Sequence, residues 1–343
     1  MTRDKPPDDR DTLIDAKKTR LGVGGSKDKP SEDLVGKIFG GYLIDEQLGS
    51  GAMGAVYRAS HIDTNRIVAL KALHAHLVHE TSLVERFRRE AKLAARLGHP
   101  HIGGVIELVE TEDGRYLIVL EFVDGEPLSS IMTMPLDAER VTNLVGQLLR
   151  GLEHAHAHGL IHRDLKPDNV LVEWRNGRDH ARIVDFGIAI LRDSEDGSLE
   201  RLTQTGQMIG TPLYMSPEQA KGEPIDHRAD LYSLGVMMYE MLSGVLPFDG
   251  RPLDILAASM KRDAPPIANR VPGLILAEPL LELFCKKLMS RDLAKRFTSA
   301  RHALDVLKLI QTDPASARPA LGVMDIERAL AVVSLPPPPS TKR

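Results

Sequence analysis

The chain has 343 residues, of which 42% are hydrophobic and 27% charged, a composition typical of a folded globular protein. Its formal net charge of -4, without a Lys/Arg stripe, gives no reason to expect a nucleic acid partner. The single cysteine, Cys285, excludes an intramolecular disulfide and a cysteine-based metal site, and favours a reducing compartment.

The first part of the chain divides into a leader and a sheet-rich segment. Residues 1–36 mix charges of both signs with Pro and Gly and show no sustained apolar period. They are predicted to be a flexible leader, either a solvated tail or a docking and regulatory segment. From residue 42 to 123 the runs 42–44, 55–58, 66–70 and 116–120 predict strands, and residues 82–97 predict one helix.

After residue 124 the pattern becomes mostly helical, with predicted helices at 137–158, 226–244, 252–260, 276–289 and 298–311. These runs predict an α+β protein, with a small lobe over 42–123 and a larger helical lobe over 124–310. The prolines after residue 310 predict a mostly extended tail over 311–343, with a short helix around 326–330.

The sequence does not predict secretion or membrane insertion. Residues 1–9 contain no apolar run of the kind that secretory signals have. The most apolar stretch, 231–248, is short for a membrane span and contains Glu240, so a buried helix explains it better. We therefore expect a cytoplasmic protein without a membrane span.

A glycine-rich loop begins the functional part of the small lobe. It has the spacing G-x-G-x-x-G, which allows backbone N–H groups to approach phosphate. A strand follows the glycines where a dinucleotide-binding fold would need a helix, so we expect the loop to join two antiparallel strands over a nucleotide. The predicted nucleotide-binding residues of this loop are Leu48, Gly49, Ser50, Gly51, Ala52, Met53, Gly54, Ala55 and Val56.

Lys71 and Glu90 form a predicted charge pair at the cleft. Strand alternation places Ala69 and Lys71 on one face, where Ala69 could cover a flat base and Lys71 could reach phosphate oxygens. The alternative is a lysine that simply faces water. Glu90 argues against it, because Glu90 shares a helix face with Phe87 and Ala94 and needs a cation there.

The strongest signal is the ordered set that runs from His162 to Gly187. Phosphoryl transfer requires an oriented hydroxyl, neutralised phosphate charge and bound metal ions. Asp164 is suited to be the base, and Lys166 can stabilise the moving phosphoryl group. Asn169 and Asp185 can supply hard oxygen ligands for Mg²⁺.

With these motifs the chain resembles the eukaryotic-type protein kinases, most of all the bacterial serine/threonine members, over about residues 42–310. The resemblance implies a two-lobed protein kinase fold over 37–310, ATP and Mg²⁺ as cofactors, and protein substrates with Ser or Thr acceptors. It implies that Glu121 and Val123 offer backbone groups to adenine behind Leu120. It also implies that Glu218 pairs with Arg296 and that Asp230 braces the catalytic loop.

The loop between Asp185 and Glu218 is the predicted switch. Arg163 would be left as an uncompensated charge until an anion arrives, and a phosphothreonine at Thr203 or Thr205 would supply one. We expect autophosphorylation there to activate the enzyme, through a transient homodimer if it occurs in trans. The alternative is that both threonines are idle loop residues.

Two rival functions and one rival site remain open at this point. The rivals are a catalytically dead kinase fold that serves as a scaffold, and a small-molecule phosphotransferase. The intact set of Lys71, Asp164 and Asp185 argues against the first, and the long loop that resembles a peptide-docking platform argues against the second. His154 and His158 have a spacing that allows metal binding, but packing beside the catalytic loop is the favoured interpretation.

Overall fold

A computed structural model of the protein describes residues 34–51, 54–74, 77, 81–111, 114–186, 212–274, 276 and 278–322; for residues 82, 83, 86 and 90 it describes the backbone alone. Contacts between Cα atoms divide the chain into two units, residues 1–35 and residues 36–343. Residues 34 and 35 are the described part of the first unit, and both predicted lobes lie in the second.

The small lobe is an antiparallel sheet with one helix. Its elements are β1 (Ile38–Phe39), β2 (Tyr42–Ser50), β3 (Gly54–His61), β4 (Ile67–Leu73), α1 (Thr81–Ala94), β5 (Val105–Glu110) and β6 (Tyr116–Glu121). The strand order is β1-β2-β3-β4-β6-β5, and every neighbouring pair is antiparallel. The predicted strands correspond to β2, β3, β4 and β6, and the predicted helix corresponds to α1. The strands β1 and β5 are not among the predicted elements.

Alternation along β4 separates a buried face of the sheet from a cleft face, as predicted. Ala69 and Lys71 are half-buried, while the residues between and beside them are buried. Leu73 and Ile118, the register partner of Lys71, lie on the face that carries Lys71, and they pack against α1 in a cluster with Val84, Phe87 and Ala91. This packing fixes the direction in which Lys71 points.

The sheet curls until its two ends meet. Gly40, in the turn between β1 and β2, has a φ of 56°, and a Cβ there would collide with Val109 of β5. Next to this contact, the buried Tyr42 hydroxyl donates to Glu107 Oε1 at 2.6 Å. The closing contact therefore needs a glycine, which permits both the turn and the close approach.

The large lobe is mostly helical, with a second small sheet. Its helices are α2 (Leu128–Ile131), α3 (Ala138–Ala157), α4 (Pro217–Lys221), α5 (Arg228–Ser243), α6 (Pro252–Lys261), α7 (Ile267–Arg270), α8 (Pro279–Leu288), α9 (Ala300–Thr312) and α10 (Pro314–Ala320). The strands β7 (Glu126–Pro127), β8 (Val170–Arg175) and β9 (Arg178–Ile183) form an antiparallel sheet in the order β7-β8-β9.

Helix α5 accounts for the most apolar stretch of the sequence. All of its residues except Arg228 and Glu240 are buried, and Glu240 accepts a hydrogen bond from the Tyr214 hydroxyl at 2.6 Å. A Cβ at Gly235 would lie 2.7 Å from Met289 Cγ, so this glycine lets α5 approach the end of α8 closely. The helix is therefore a core element, and within the described residues no helix is both long and apolar enough to span a bilayer.

The hairpin that joins β8 to β9 turns at an Asn-Gly pair. Asn176 and Gly177 have φ values of 52° and 78°, the left-handed conformations that a two-residue hairpin turn requires. The hairpin leads the chain directly from Asn169 back to Asp185, and so places both predicted magnesium ligands at one end of the small sheet.

The prediction of an extended tail after about residue 312 is wrong for residues 314–320, which form α10. Pro314 stands in the first turn of this helix, where its missing N–H has no intrahelical acceptor, and the Asp313 side chain caps the Ser316 N–H. Ala317 is buried in the core of the large lobe. The predicted helix around residues 326–330 lies outside the described residues.

Candidate active site

The glycine-rich loop joins two antiparallel strands, as the sequence predicts. Ser50 of β2 is the register partner of Ala55 of β3, and the Gly51 N–H donates to the Gly54 carbonyl oxygen at 2.8 Å. A Cβ at Gly54 would collide with the carbonyl oxygen of Ala72, so the loop can return into β3 at this point only through a glycine. Ala52 and Met53, at the tip of the loop, lie outside the described residues.

Lys71 and Asp185 meet across the cleft, although more than a hundred positions separate them. Lys71 Nζ lies 3.0 Å from Asp185 Oδ2, with side-chain exposures of 15% and 28%. The predicted partner of Lys71, Glu90, belongs to α1, but its side chain lies outside the described part of the structure. The pair between Lys71 and Glu90 therefore stays a prediction.

The catalytic loop gathers the next three predicted residues. Lys166 Nζ lies 3.2 Å from Asp164 Oδ2. Pro167–Asn169 form one turn of 3₁₀ helix, which brings the Asn169 amide back to donate to the backbone carbonyl of Asp164 at 2.8 Å. The Val184 N–H donates to the Asn169 carbonyl at 2.9 Å, so the loop is tied to the segment that carries Asp185.

Asp230 holds the backbone of the catalytic loop, which confirms the bracing role that the family resemblance implies for it. Its carboxylate accepts from the backbone N–H groups of His162 and Arg163 and from His156 Nε2, each at 2.8 Å. Burial by itself would raise the pKa of Asp230, but the hydrogen bond from His156 and the surrounding donors lower it below its usual value, so the carboxylate stays ionised. Arg163 has a φ of 64°, a conformation that non-glycine residues rarely adopt without such support.

Two histidines contribute to the site, although the sequence predicts no role for either ring. His156 is one of the donors to Asp230. The His162 ring donates from Nε2 to the Val184 carbonyl at 2.9 Å and meets the edge of Phe186 with ring centroids 4.8 Å apart. His162 therefore connects the catalytic loop to the Asp185 segment, and its place directly before Arg163 is the sequence signal that marks it.

The hinge between the lobes lies beside the predicted base-binding face. Ala69 and Leu120 are register partners on β4 and β6, which places the predicted roof of the base next to the predicted gatekeeper. The Glu121 N–H donates to the Gly104 carbonyl at 2.8 Å, and Val123 is buried. This backbone is therefore held in place on the side away from the cleft.

The segment that follows the predicted switch is anchored in the core. Glu218 and Arg296 form the predicted pair, with Arg296 Nη1 and Nη2 at 2.7 and 3.1 Å from the two carboxylate oxygens. The next residue, Gln219, donates to the carbonyl of Arg163 at 2.8 Å and so connects α4 with the catalytic loop. Thr203 and Thr205 lie outside the described residues.

A group of histidine rings packs where the loop after α1 meets the large lobe. The His154 ring lies 4.5 Å from His158 and stacks on His99 at 5.1 Å, and His101 lies 5.0 Å from His180, measured between ring centroids. Burial lowers the pKa of His101 to about 4 and also lowers the pKa values of His99 and His154. These three rings are therefore neutral at pH 7. Among the described residues, no group of three or more His, Cys, Asp or Glu side chains is arranged to hold a metal ion.

The donor set at the mouth of the cleft fits a nucleotide with magnesium. Asp185 offers a carboxylate, and the Asn169 amide nitrogen is engaged with Asp164, which leaves its oxygen as the atom for a cation. Mg²⁺ takes one or two such protein oxygens and completes its coordination with phosphate and water. Lys71 adds a positive charge to the same place.

A curled antiparallel lobe with a glycine loop, a helical lobe with a braced catalytic loop and a charged cleft between them define the two-lobed protein kinase fold. The chain belongs to the protein kinase domain family, because residues 42–307 match the sequence model of that family.

Similar proteins agree with this assignment. The chain is 39% identical over 275 residues to the serine/threonine-protein kinase pkn3 of Myxococcus xanthus, covering 79% of this chain and 50% of that relative. It is 34% identical over 271 residues to the serine/threonine-protein kinase PrkC of Bacillus subtilis, covering 76% of this chain and 40% of PrkC. The chain thus spans about half or less of the length of these relatives.

The solved structure of the PknI kinase domain of Mycobacterium tuberculosis is similar in fold. It matches with a TM-score of 0.62 and 29% sequence identity, over 81% of this chain and 98% of the solved chain. The likeness covers both lobes, so it supports the same fold.

Proposed function

We propose that the protein is a serine/threonine protein kinase that transfers the terminal phosphoryl group of ATP to hydroxyl groups of other proteins. The observation that carries the proposal is the contact between Lys71 and Asp185, together with the hydrogen bonds that connect the loop of Asp164 to the Asp185 segment. In the proposed function these segments would supply a cation for phosphate, a carboxylate for metal and a base for the acceptor hydroxyl.

Each of these side chains has a role in the proposed transfer. Lys71 would bind phosphate oxygens, while Asn169 and Asp185 would supply oxygen ligands for magnesium, which when bound neutralises phosphate charge. The acceptor hydroxyl would donate to Asp164 and lose its proton to it as its oxygen bonds to the terminal phosphorus. The bond from that phosphorus to the bridging oxygen breaks, ADP leaves, and Lys166 would stabilise the charge on the moving group.

The nucleotide would enter with its base against the hinge. Ala69 and Leu120 are neighbours there, and the backbone of Glu121 and Val123 would hydrogen-bond adenine. Residues 48–56 would cover the phosphates, and Glu90 would pair with Lys71 when α1 is in its active position. The proposal includes cytosolic signalling, which is supported by the buried Cys285, a thiol that takes part in no disulfide.

The proposal is tested by incubating the purified protein with labelled ATP, magnesium and a generic protein substrate, followed by phosphoamino acid analysis. Label on Ser or Thr is expected. Label that appears on Tyr alone would contradict the proposal. A protein that binds ATP but transfers no label would contradict it too. The second outcome would instead indicate a nucleotide-binding scaffold.

We further propose that autophosphorylation of Thr203 or Thr205 activates the kinase, in trans within a transient homodimer. The positive charge of Arg163, adjacent to Asp164 and connected through Gln219 to α4, is the feature that a phosphate would engage. A protein with Thr203→Ala and Thr205→Ala is expected to lose most of its phosphate content and activity, whereas Thr312→Ala should change neither. Unchanged activity and phosphate content in the double variant would contradict this part of the proposal.

A further inference from the structure

Arg182 is a buried arginine that joins three segments of the chain. It lies on β9, and its side chain is only 8% exposed. Its guanidinium donates from Nη1 to Glu121 Oε1 at 3.0 Å and from Nη2 to Glu121 Oε2, and Nη2 also donates to the Ile102 carbonyl at 3.0 Å. A planar, bidentate contact of this kind fixes orientation as well as distance.

These segments are the ones that would hold opposite ends of a nucleotide. Glu121 ends β6, where the backbone would meet the base. Arg182 precedes Asp185 by three residues on the strand that leads to the phosphates. Between them, Gly103 donates its N–H to the Ile183 carbonyl and Gly104 accepts from the Glu121 N–H, both at 2.8 Å.

Gly103 lies where the chain approaches the strand of Arg182 most closely. A Cβ at Gly103 would lie 3.0 Å from Val184 Cγ1, and a Cβ at Gly104 would lie 3.5 Å from Glu121 Oε2. A Cβ at Gly103 would require Val184 to shift, whereas the distance at Gly104 is an ordinary van der Waals contact. Through their backbone hydrogen bonds, Gly103 and Gly104 connect the same two segments that the ion pair joins.

The ion pair is asymmetric in its exposure to water. The Glu121 side chain is 43% exposed, whereas the Arg182 side chain is almost entirely buried. The hydrogen bond from Arg182 lowers the pKa of Glu121, which keeps the carboxylate ionised at neutral pH. A buried guanidinium that lost this partner would be strongly destabilised, so β9 cannot move away from the hinge without a cost.

We propose that Arg182 is a positioning residue that holds the adenine-binding hinge in register with the phosphate- and metal-binding end of the cleft. This inference rests on the proposed kinase function, because it assigns the two ends of the cleft to the base and to the phosphates. In a site of this kind, the affinity for the whole nucleotide exceeds that for its parts, because binding of one end presents the other at a high effective concentration. In this proposal Arg182 fixes the distance and orientation between the two ends of the site, without contacting the nucleotide itself.

The test compares ligands that occupy one end of the cleft with a ligand that occupies both. The dissociation constants of adenosine, of magnesium tripolyphosphate and of magnesium ATP are measured by calorimetry or by displacement of a fluorescent nucleotide. For Arg182→Met, we expect the dissociation constant of ATP to rise about tenfold while those of adenosine and tripolyphosphate stay within about twofold. Arg178→Met, an exposed arginine on the same strand, is the matched control and should change none of them.

Two further variants complete the experiment. Arg182→Lys keeps the charge but not the bidentate contact, so an intermediate loss is expected, and this variant carries the test if Arg182→Met does not fold by circular dichroism. Glu121→Gln in the Arg182→Met background should add little, since the pair is already broken.

The outcomes separate this inference from the proposed function. Wild-type protein that fails to bind ATP would overturn the function. If the wild-type protein binds ATP, two results for Arg182→Met would overturn the positioning role alone. One is an unchanged affinity for ATP, and the other is a loss of adenosine affinity as large as the loss of ATP affinity.

Discussion

Arg296 offers the sharpest test of how the large lobe supports the site. Its guanidinium makes two hydrogen bonds to Glu218, one to the Arg228 carbonyl at 2.8 Å and one to the Ser290 carbonyl at 2.9 Å. It also lies 5.2 Å from the centroid of the Tyr232 ring. The side chains of Arg296 and Glu218 are 0% and 4% exposed, so neither charge can turn to water.

The cost of Arg296→Met follows from what the substitution leaves behind. Methionine fills much of the arginine volume, but Glu218 becomes a buried carboxylate without its cation, and two carbonyl groups lose their donor. Breaking a buried pair from one side costs about 3–5 kcal/mol. Domains of this kind have a free energy of unfolding of about 5–15 kcal/mol, so the variant should lose a large part of its stability.

Urea unfolding followed by circular dichroism measures this cost. Arg301→Met is the control, because Arg301 pairs with Glu153 and Asp305 at the surface with its side chain 62% exposed, where a pair is worth less than about 1 kcal/mol. Replacing Glu218 by Gln in the Arg296→Met background removes the unpaired charge and should restore part of the loss. If Arg296→Met costs no more than Arg301→Met, the argument from buried charge is wrong.

Two further predictions concern packing in the large lobe and at the histidine group. His101→Asn should reduce the loss of stability that accompanies a fall in pH from 6.5 to about 4. The folded protein holds the pKa of His101 at about 4, so in this pH range it binds fewer protons than the unfolded chain and loses stability as the pH falls. The asparagine amide can still donate to the Ala181 carbonyl. Gly235→Ala should lower the free energy of unfolding by about 1–3 kcal/mol through the clash with Met289, whereas Gly98→Ala, with open space around it, should have little effect.

Both predictions are read from denaturation curves. For His101 the curves are taken at a series of pH values, with His302→Asn in α9 as the control. An unchanged pH dependence in His101→Asn would mean that the half-buried His101 ring does not carry the acid sensitivity. Equal stabilities of the Gly235→Ala and Gly98→Ala proteins would mean that α5 and α8 can separate without cost.

Local pattern in the sequence predicts the elements whose periodicity is strong. The alternation in β4 and the Asn176-Gly177 turn each reflect a conformational requirement of a few adjacent residues, and the structure has both. The strand β5 is half-buried with an irregular pattern and follows a glycine pair, so its sequence carries a weak signal. Pro314 is compatible with α10 because it stands in the first turn of that helix, whereas Pro319 lies inside it.

Contacts between distant segments are predictable only where a motif marks both partners. Asp164, Asn169 and Asp185 carry such marks, and the pairing of Glu218 with Arg296 follows from family resemblance rather than from any local pattern. Glu121 and Arg182 are 61 positions apart and look like ordinary surface charges in their strands. Their contact depends on the curl of the small lobe and the path of the hairpin, which no window of sequence specifies.

In the proposed function, Asp164 acts on the acceptor hydroxyl in the cleft where Lys71 and Asp185 would hold the phosphates. A single-turnover measurement on Asp164→Asn, paired with its affinity for magnesium ATP, tests it most directly. We predict that phosphoryl transfer falls by about 10²–10⁴-fold while the dissociation constant of ATP stays within about twofold of that of the wild-type protein. Transfer at the wild-type rate by Asp164→Asn would contradict the account.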